Sequence, residues 1–226
     1  KDAGGIWRLS DLAEYRVIER QPLYGKYGDM KIIGAPLPSS GGVVLINIFN
    51  ILAQYDLGSY KTQQRIHLIV EAMRRAYRDR AEYLGDADFV NVPVERLLNP
   101  FYAAGQAASI RLDKATPSAF LPGAPASPVG MDTTHFSIID KHGNRVSATL
   151  SINLPFGSGY MPPGTGVLLN NEMDDFAAKP GVPNAYGLVA GKNNPNAIEP
   201  GKRMLSSMSP TFLETDERIA VLGTPG

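Results

Sequence analysis

Along residues 63 to 84 the apolar side chains return every three to four positions. Ile66, Ile69, Val70, Met73, Ala76, Tyr77 and Ala81 share one side, and Arg74, Arg75, Arg78, Asp79, Arg80 and Glu82 lie largely opposite. This period predicts an amphipathic helix whose apolar stripe faces the core. His67 falls within it and reads as a packed or solvated helix residue rather than a catalyst. A second apolar stretch over 43 to 55 follows Pro36-Leu37-Pro38-Ser39-Ser40-Gly41-Gly42. The two glycines either turn the chain into that helix or bring backbone N–H groups to its start, where anions are favoured. Ser10 is placed to cap a brief helix over 12 to 15, residues 30 to 33 read as a strand, and another helix is predicted over 94 to 108.

From residue 113 to 131 the texture changes to Pro, Ala, Ser and Gly, with Pro117, Pro122, Pro125 and Pro128 working against regular structure. The stretch predicts a linker ending near residue 132. Two alternating runs follow, 133 to 140 and 144 to 153, separated by Lys141-His142-Gly143, which is a hairpin signal. If Asp140 faces Asn144 across a three-residue loop with Gly143 in the left-handed region, Ile138 pairs with Val146, Phe136 with Ala148 and Ser137 with Ser147. A two-residue loop would set Phe136 against Thr149 and Ile138 against Ser147, mixing the faces. The matched register places Thr133 opposite Ser151.

Composition narrows the chemistry. The 226 residues are 43% hydrophobic, enough for one sizeable core, and 22 basic side chains balance 22 acidic ones. No net field favours nucleic acid or an anionic membrane, so recognition rests on local groups. No apolar run approaches the roughly 20 residues of a membrane span. Cysteine is absent, which excludes a disulfide scaffold, a thiol nucleophile and a Cys zinc site, and the three histidines lack metalloprotease spacing. The chain starts with Lys1 and shows no basic-then-apolar leader, so a targeting segment is expected to have been removed or to lie elsewhere.

A hydroxyl that opens a strand after a flexible linker, faced by a second hydroxyl, suits self-cleavage by N-to-O acyl shift. Thr133 would attack the Asp132 carbonyl. Hydrolysis of the ester would then free an α-amino group, with a reference pKa of about 7.7 to 8, to serve as base for its own hydroxyl. The same pattern is also that of an ordinary threonine-rich strand after a linker, and the residues alone leave both readings open.

Further motifs follow in order: Thr133-Thr134-His135-Phe136-Ser137, Asn153 with Phe156-Gly157-Ser158-Gly159, Leu168-Leu169-Asn170-Asn171-Glu172-Met173-Asp174-Asp175-Phe176, Pro200-Gly201-Lys202, and Leu205-Ser206-Ser207-Met208-Ser209-Pro210. Upstream stand Pro38-Ser39-Ser40-Gly41-Gly42, Glu71-Ala72, Asp79-Arg80, Tyr83-Leu84-Gly85-Asp86 and Asp88-Phe89-Val90. In this sequence of motifs the whole chain resembles the γ-glutamyltranspeptidase family. Residues 1 to 132 resemble the end of the large subunit and 133 to 226 the front of the small one.

The resemblance implies an α/β (α+β) fold of the N-terminal-nucleophile hydrolase αββα sandwich type, incomplete in this chain, with the Thr133 hairpin in the central sheet. It implies cleavage between Asp132 and Thr133, Thr133 as nucleophile and Ser151 as the hydroxyl that activates it. Asn153, Glu172 and Asp175 match residues that hold the donor's α-amino group, a position some relatives fill with Gln in place of Glu172. Ser206 and Ser207 match the pair that bonds its α-carboxylate. Gly226 matches the first of two oxyanion-hole glycines, and Tyr186, in a Pro/Gly loop over 180 to 187, matches a lid residue. Taken singly, these positions also read as a polar turn, a cap, a strand-end turn and a plain loop.

An upstream Arg for the donor carboxylate and the second oxyanion glycine are expected outside this chain, so the fragment is expected to be inactive by itself. Continuity across the junction points to an uncleaved precursor. The expected partners are glutathione or another γ-glutamyl compound as donor, and water, an amino acid or a dipeptide as acceptor, with a large/small subunit heterodimer after cleavage. No metal or organic cofactor, nucleic acid or membrane span is expected, and the setting is expected to be periplasmic or secreted. The alternatives are a cephalosporin or glutaryl acylase, whose donor lacks the α-amino group, and a non-catalytic binding module on the same scaffold.

Overall fold

The computed structural model describes residues 4–121, 133–179, 181–182 and 194–225. A brief helix α1 (Leu9–Ala13) precedes the hairpin β1 (Leu23–Tyr27) and β2 (Met30–Gly34), which turns at Gly28 with φ of 62°. Helix α2 (Gly41–Leu52) and the long α3 (Thr62–Tyr83) follow, then α4 (Val94–Leu97) and α5 (Pro100–Ala108). After the linker come the hairpin β3 (Thr133–Ile139) and β4 (Arg145–Ser151), and later β5 (Thr211–Glu214) and β6 (Ile219–Leu222).

Among the described residues the strands form an antiparallel sheet in the order β1-β2-β5-β6 and a separate pair β3-β4. Helix α2 lies on the larger sheet, with α3 and α5 packed against it. Val43 and Val44 meet Leu37, Ala76, Leu84, Leu97 and Leu205 in one apolar cluster, while Ile51 and Leu52 meet Leu68, Ala72, Ala103 and Ala107 in another. Contact between α2 and the end of β2 requires glycine on both sides. A Cβ at Gly34 would sit 2.7 Å from the Gly42 Cα, and one at Gly42 would sit 2.3 Å from the Ala35 carbonyl oxygen.

The hairpin register is the predicted one: Thr133 faces Ser151, Phe136 faces Ala148, Ser137 faces Ser147 and Ile138 faces Val146. The Asp140 N–H donates to the Asn144 carbonyl at 3.0 Å, and Gly143 takes φ of 85° in the loop. The hairpin was expected in the central sheet, but among the described residues it pairs only with itself as a two-stranded sheet and touches β6, where the Ser147 hydroxyl donates to the Leu222 carbonyl at 2.9 Å.

Three further sequence expectations give way. Helix α1 starts at Leu9, so Ser10 lies inside its first turn, and the Asp11 carboxylate accepts from the Arg8 N–H at 2.7 Å in place of a Ser10 cap. The helix expected over 94 to 108 is two helices, because Asn99, extended ahead of Pro100, breaks it and restarts it by accepting from the Phe101 N–H at 2.8 Å.

The third concerns α3. Its buried face is Leu68, Glu71, Ala72, Arg75, Ala76, Asp79 and Arg80, while Ile66, Ile69, Val70, Met73 and Tyr77 are exposed. Of the predicted core stripe only Ala76 is fully buried. The inward polar groups are tolerated because each has partners. Glu71 binds Arg74 and Arg75 at 2.6 Å each, and accepts from the Thr116 hydroxyl at 2.5 Å. Asp79 accepts from Asn47, Tyr102 and Gln106 at 3.2, 3.0 and 2.7 Å. His67 is half-buried within the helix, its Nε2 2.7 Å from the Arg111 carbonyl oxygen.

Candidate active site

Thr133 is the first residue of β3, and antiparallel pairing places Ser151, the last residue of β4, directly across from it. The Thr133 hydroxyl donates to Ser151 Oγ at 3.0 Å, and the Asn153 N–H donates to the same oxygen at 2.9 Å. Ser151 Oγ is therefore fixed by two donors, one of them the backbone just past its own strand. Asn153 makes that turn with φ of 76°, a left-handed conformation that Asn tolerates better than most residues.

Buried Asn153 then reaches the next segment, its Nδ2 donating to the Asn171 carbonyl at 3.1 Å. Asn171 returns two bonds, its Oδ1 accepting from the Leu154 N–H at 3.1 Å and its N–H donating to the Ile152 carbonyl at 3.3 Å. These staples hold the single 3-10 turn Glu172–Asp175 beside the strand end that carries Ser151. Burial is the main force raising the Asp175 carboxyl to about 7. The charge of Glu172 and a hydrogen bond with it add to the rise, as does Asp174, and Arg80 opposes it.

Ser206 and Ser207 are set by the loop that enters α2. The Ser40 N–H donates to the Ser206 carbonyl at 2.8 Å, the Ser206 N–H donates to the Pro38 carbonyl at 2.9 Å, and the Ser40 hydroxyl donates to the Ser206 carbonyl at 2.9 Å. The start of α2 is thus filled by the chain itself. A Cβ at Gly41 would lie 2.8 Å from the Met208 carbonyl oxygen, so the glycine loop serves close packing rather than an open anion cradle. From α3, Arg80 Nη2 donates to Ser207 Oγ at 2.8 Å and Nε to Ser40 Oγ at 3.0 Å.

Hydrogen bonds through Asn171 therefore join Thr133, Ser151 and Asn153 to the turn that carries Glu172 and Asp175, while Arg80, bonded to Ser207 beside Ser206, acts on Asp175 by charge at longer range. Asp132, Tyr186 and Gly226 lie outside the described residues. Sequence reasoning passed over Arg80, which it placed on the polar outer side. The available signal was its four-residue spacing from Ala72 and Ala76, which puts all three on one face. It also passed over His135, two residues from Thr133 on the same strand face. Its Nδ1 lies 2.8 Å from Thr149 Oγ1 and its Nε2 3.0 Å from Ser137 Oγ. A Cβ at Gly223 would fall 2.0 Å from the His135 ring, so any side chain there would displace the imidazole from its present place. Among the described residues no group of three His, Asp or Glu side chains is placed to hold a metal ion, and no helix is long and apolar enough to cross a membrane.

The fold and site define a mixed α/β protein with a strand-opening threonine bonded to a second hydroxyl, a carboxyl pair stapled beside that strand end, and a serine pair held by a buried arginine. The chain belongs to the γ-glutamyltranspeptidase family, whose sequence profile matches residues 1–226. It is 50% identical over 231 residues to the glutathione hydrolase proenzyme of Pseudomonas sp. (strain A14), and 46% identical over 227 residues to that of Escherichia coli (strain K12). These matches cover 100% and 99% of this chain but 40% and 39% of the relatives, so the chain spans about two fifths of their length. The crystal structure of a cephalosporin acylase from Bacillus halodurans superposes with a TM-score of 0.76 at 27% identity, covering 96% of this chain and 36% of that one.

Proposed function

We propose that the protein containing this chain is an autoprocessing γ-glutamyltranspeptidase. Residues 1 to 132 would form the end of its large subunit and 133 to 226 the front of its small one, on an N-terminal-nucleophile αββα scaffold. The observation that carries this reading is the 3.0 Å bond from the Thr133 hydroxyl to Ser151, at the first residue after the linker.

In this reading Thr133 Oγ attacks the Asp132 carbonyl carbon, the peptide C–N bond breaks and an ester forms. Water hydrolyses the ester to leave the Asp132 carboxylate and a free Thr133 amine. That amine then takes the proton of its own hydroxyl as Oγ attacks the γ-amide carbonyl of glutathione or a related donor. The leaving amine departs protonated, and the acyl group on Thr133 passes to water, an amino acid or a dipeptide. Asn153, Glu172 and Asp175 receive the donor's ammonium, Ser206 and Ser207 its carboxylate, Gly226 contributes to the oxyanion hole and Tyr186 closes over the pocket. A periplasmic or secreted location accords with the family resemblance.

The acylase superposition favours a second reading in which the donor is a glutaryl amide without the α-amino group. The Glu172–Asp175 pair supports the γ-glutamyl donor, because a donor ammonium relieves the repulsion between two adjacent carboxylates and a glutaryl group does not.

The test uses full-length protein. Mass analysis is expected to show a split between residues 132 and 133 that Thr133→Ala abolishes and Thr134→Ala does not. An intact wild-type chain after prolonged incubation would sink the reading. A γ-glutamyl anilide is expected to be cleaved far faster than a glutaryl anilide, and the reverse order would select the acylase.

A further inference from the structure

We propose that Arg80 is a positioning residue for the donor's α-carboxylate, acting through the Ser207 hydroxyl and thereby setting the preference for donors that carry that group. This rests on the γ-glutamyl reading of the site. Arg80 is buried, with 9% of its surface exposed. A guanidinium has donors and no acceptor, so in the 2.8 Å Arg80–Ser207 bond the serine oxygen must accept. The Ser207 proton is then free to point away from Arg80, toward an acceptor. An acceptor-only group such as a carboxylate is the natural complement, and the cation behind the hydroxyl strengthens that bond.

Two further observations bear on the charge. Among the described residues no carboxylate lies within ion-pair distance of Arg80, although Asp175 acts on it at longer range. A buried cation without a direct counter-charge is costly, and a bound carboxylate would relieve that cost. The second is the anchor: Nε is tied to Ser40, whose hydroxyl closes on the Ser206 carbonyl. The guanidinium is thus held between the loop entering α2 and the serine pair, with Asp175, on the ammonium side, within its field.

The test compares two donors on full-length, self-cleaved enzyme, γ-glutamyl anilide and 4-aminobutanoyl anilide, which keep the same amine and amide and differ only in the α-carboxylate. Wild type is expected to prefer the first. Arg80→Gln should lose about 10- to 100-fold of that preference, chiefly through a raised KM for the carboxylated donor, with kcat at saturation little changed. Arg80→Lys should recover part of it. Ser207→Ala should lose a similar factor, and the double variant little more than either single one.

An equal fall in kcat/KM on both donors would mark Arg80 as merely structural and overturn the proposal, as would an unchanged preference. Should Arg80→Gln fail to self-cleave, the same comparison on Arg80→Lys decides, because the shorter donor cannot hold both hydroxyls in the same geometry. A wild-type enzyme indifferent to the α-carboxylate would instead defeat the donor-site reading itself, and this proposal with it.

Discussion

A carboxyl raised to about 7 beside a second one is largely protonated below neutrality, and Asp175 is in that position because burial and Glu172 together outweigh Arg80. An ammonium in contact favours the ionised form, so its binding must expel a proton at low pH. Affinity for a cleavage-resistant γ-glutamyl compound is therefore expected to rise by about tenfold per pH unit below about 7 and to flatten above it. Glu172→Gln removes the neighbouring charge that raises Asp175, so the bend should move to lower pH. Equilibrium titration of self-cleaved enzyme across this range checks both points, and an unmoved bend in Glu172→Gln would show that Glu172 does not set it. The Thr133–Ser151 contact was legible in the sequence because strand alternation and a left-handed glycine leave one register that keeps the faces unmixed. The Arg80 and His135 contacts were not, because charge sorts residues to the outside by default and only folding shows which ones find partners within.

Helix α3 carries that lesson at the scale of the element. Its period was correctly read as helical, yet the face assignment failed because hydrophobicity cannot weigh buried charges against an apolar stripe when the partners that satisfy them, such as Gln106, Asn47 and Thr116, lie 27, 32 and 45 residues away. Burial alone would raise the Glu71 carboxyl, but bonds from Thr116, Arg75 and Arg74 outweigh it and hold the group at about 2. A carboxyl depressed in the folded state stabilises above its unfolded value near 4.5, and that contribution is lost as pH falls from there through about 2. Glu71→Gln leaves Arg75 buried without its charge partner and should cost about 3 to 5 kcal/mol at neutral pH, measured by denaturant unfolding. The gap between wild type and variant should narrow as the pH is lowered from about 4.5 toward 2. A constant gap would show that the carboxylate charge is not what holds α3 to the start of the linker. The break at Asn99-Pro100 had a plain local signal, whereas the separation of the β3-β4 hairpin from the larger sheet had none, since strand alternation identifies faces and not neighbours.

Across the whole molecule, the parts before and after the linker are folded into each other. Strand β2 pairs with β5 from Lys31 opposite Glu214 to Gly34 opposite Thr211, so one sheet is built from both sides of the junction. Leu205 is 3% exposed within the cluster formed by Leu37, Val43, Val44 and Ala76. The Arg203 N–H donates at 2.9 Å to Asp86, whose side chain is fully buried, and Arg80 reaches Ser207. A cut between residues 132 and 133 breaks none of these contacts, because none of them involves either residue. The two pieces are therefore expected to migrate together at the size of the uncut protein on native gel filtration and to part only in denaturant. Leu205→Ala removes an apolar anchor from the far side of the seam and should lower the stability of the joined form by about 2 to 5 kcal/mol, so that separation begins at lower denaturant. Pieces that part in plain buffer would show that the shared sheet and core are too weak to keep Ser207 against Arg80 once the peptide bond is gone. Association through cleavage would instead mean that the site is assembled before the cut, with the linker serving only to deliver Thr133 to the strand it opens.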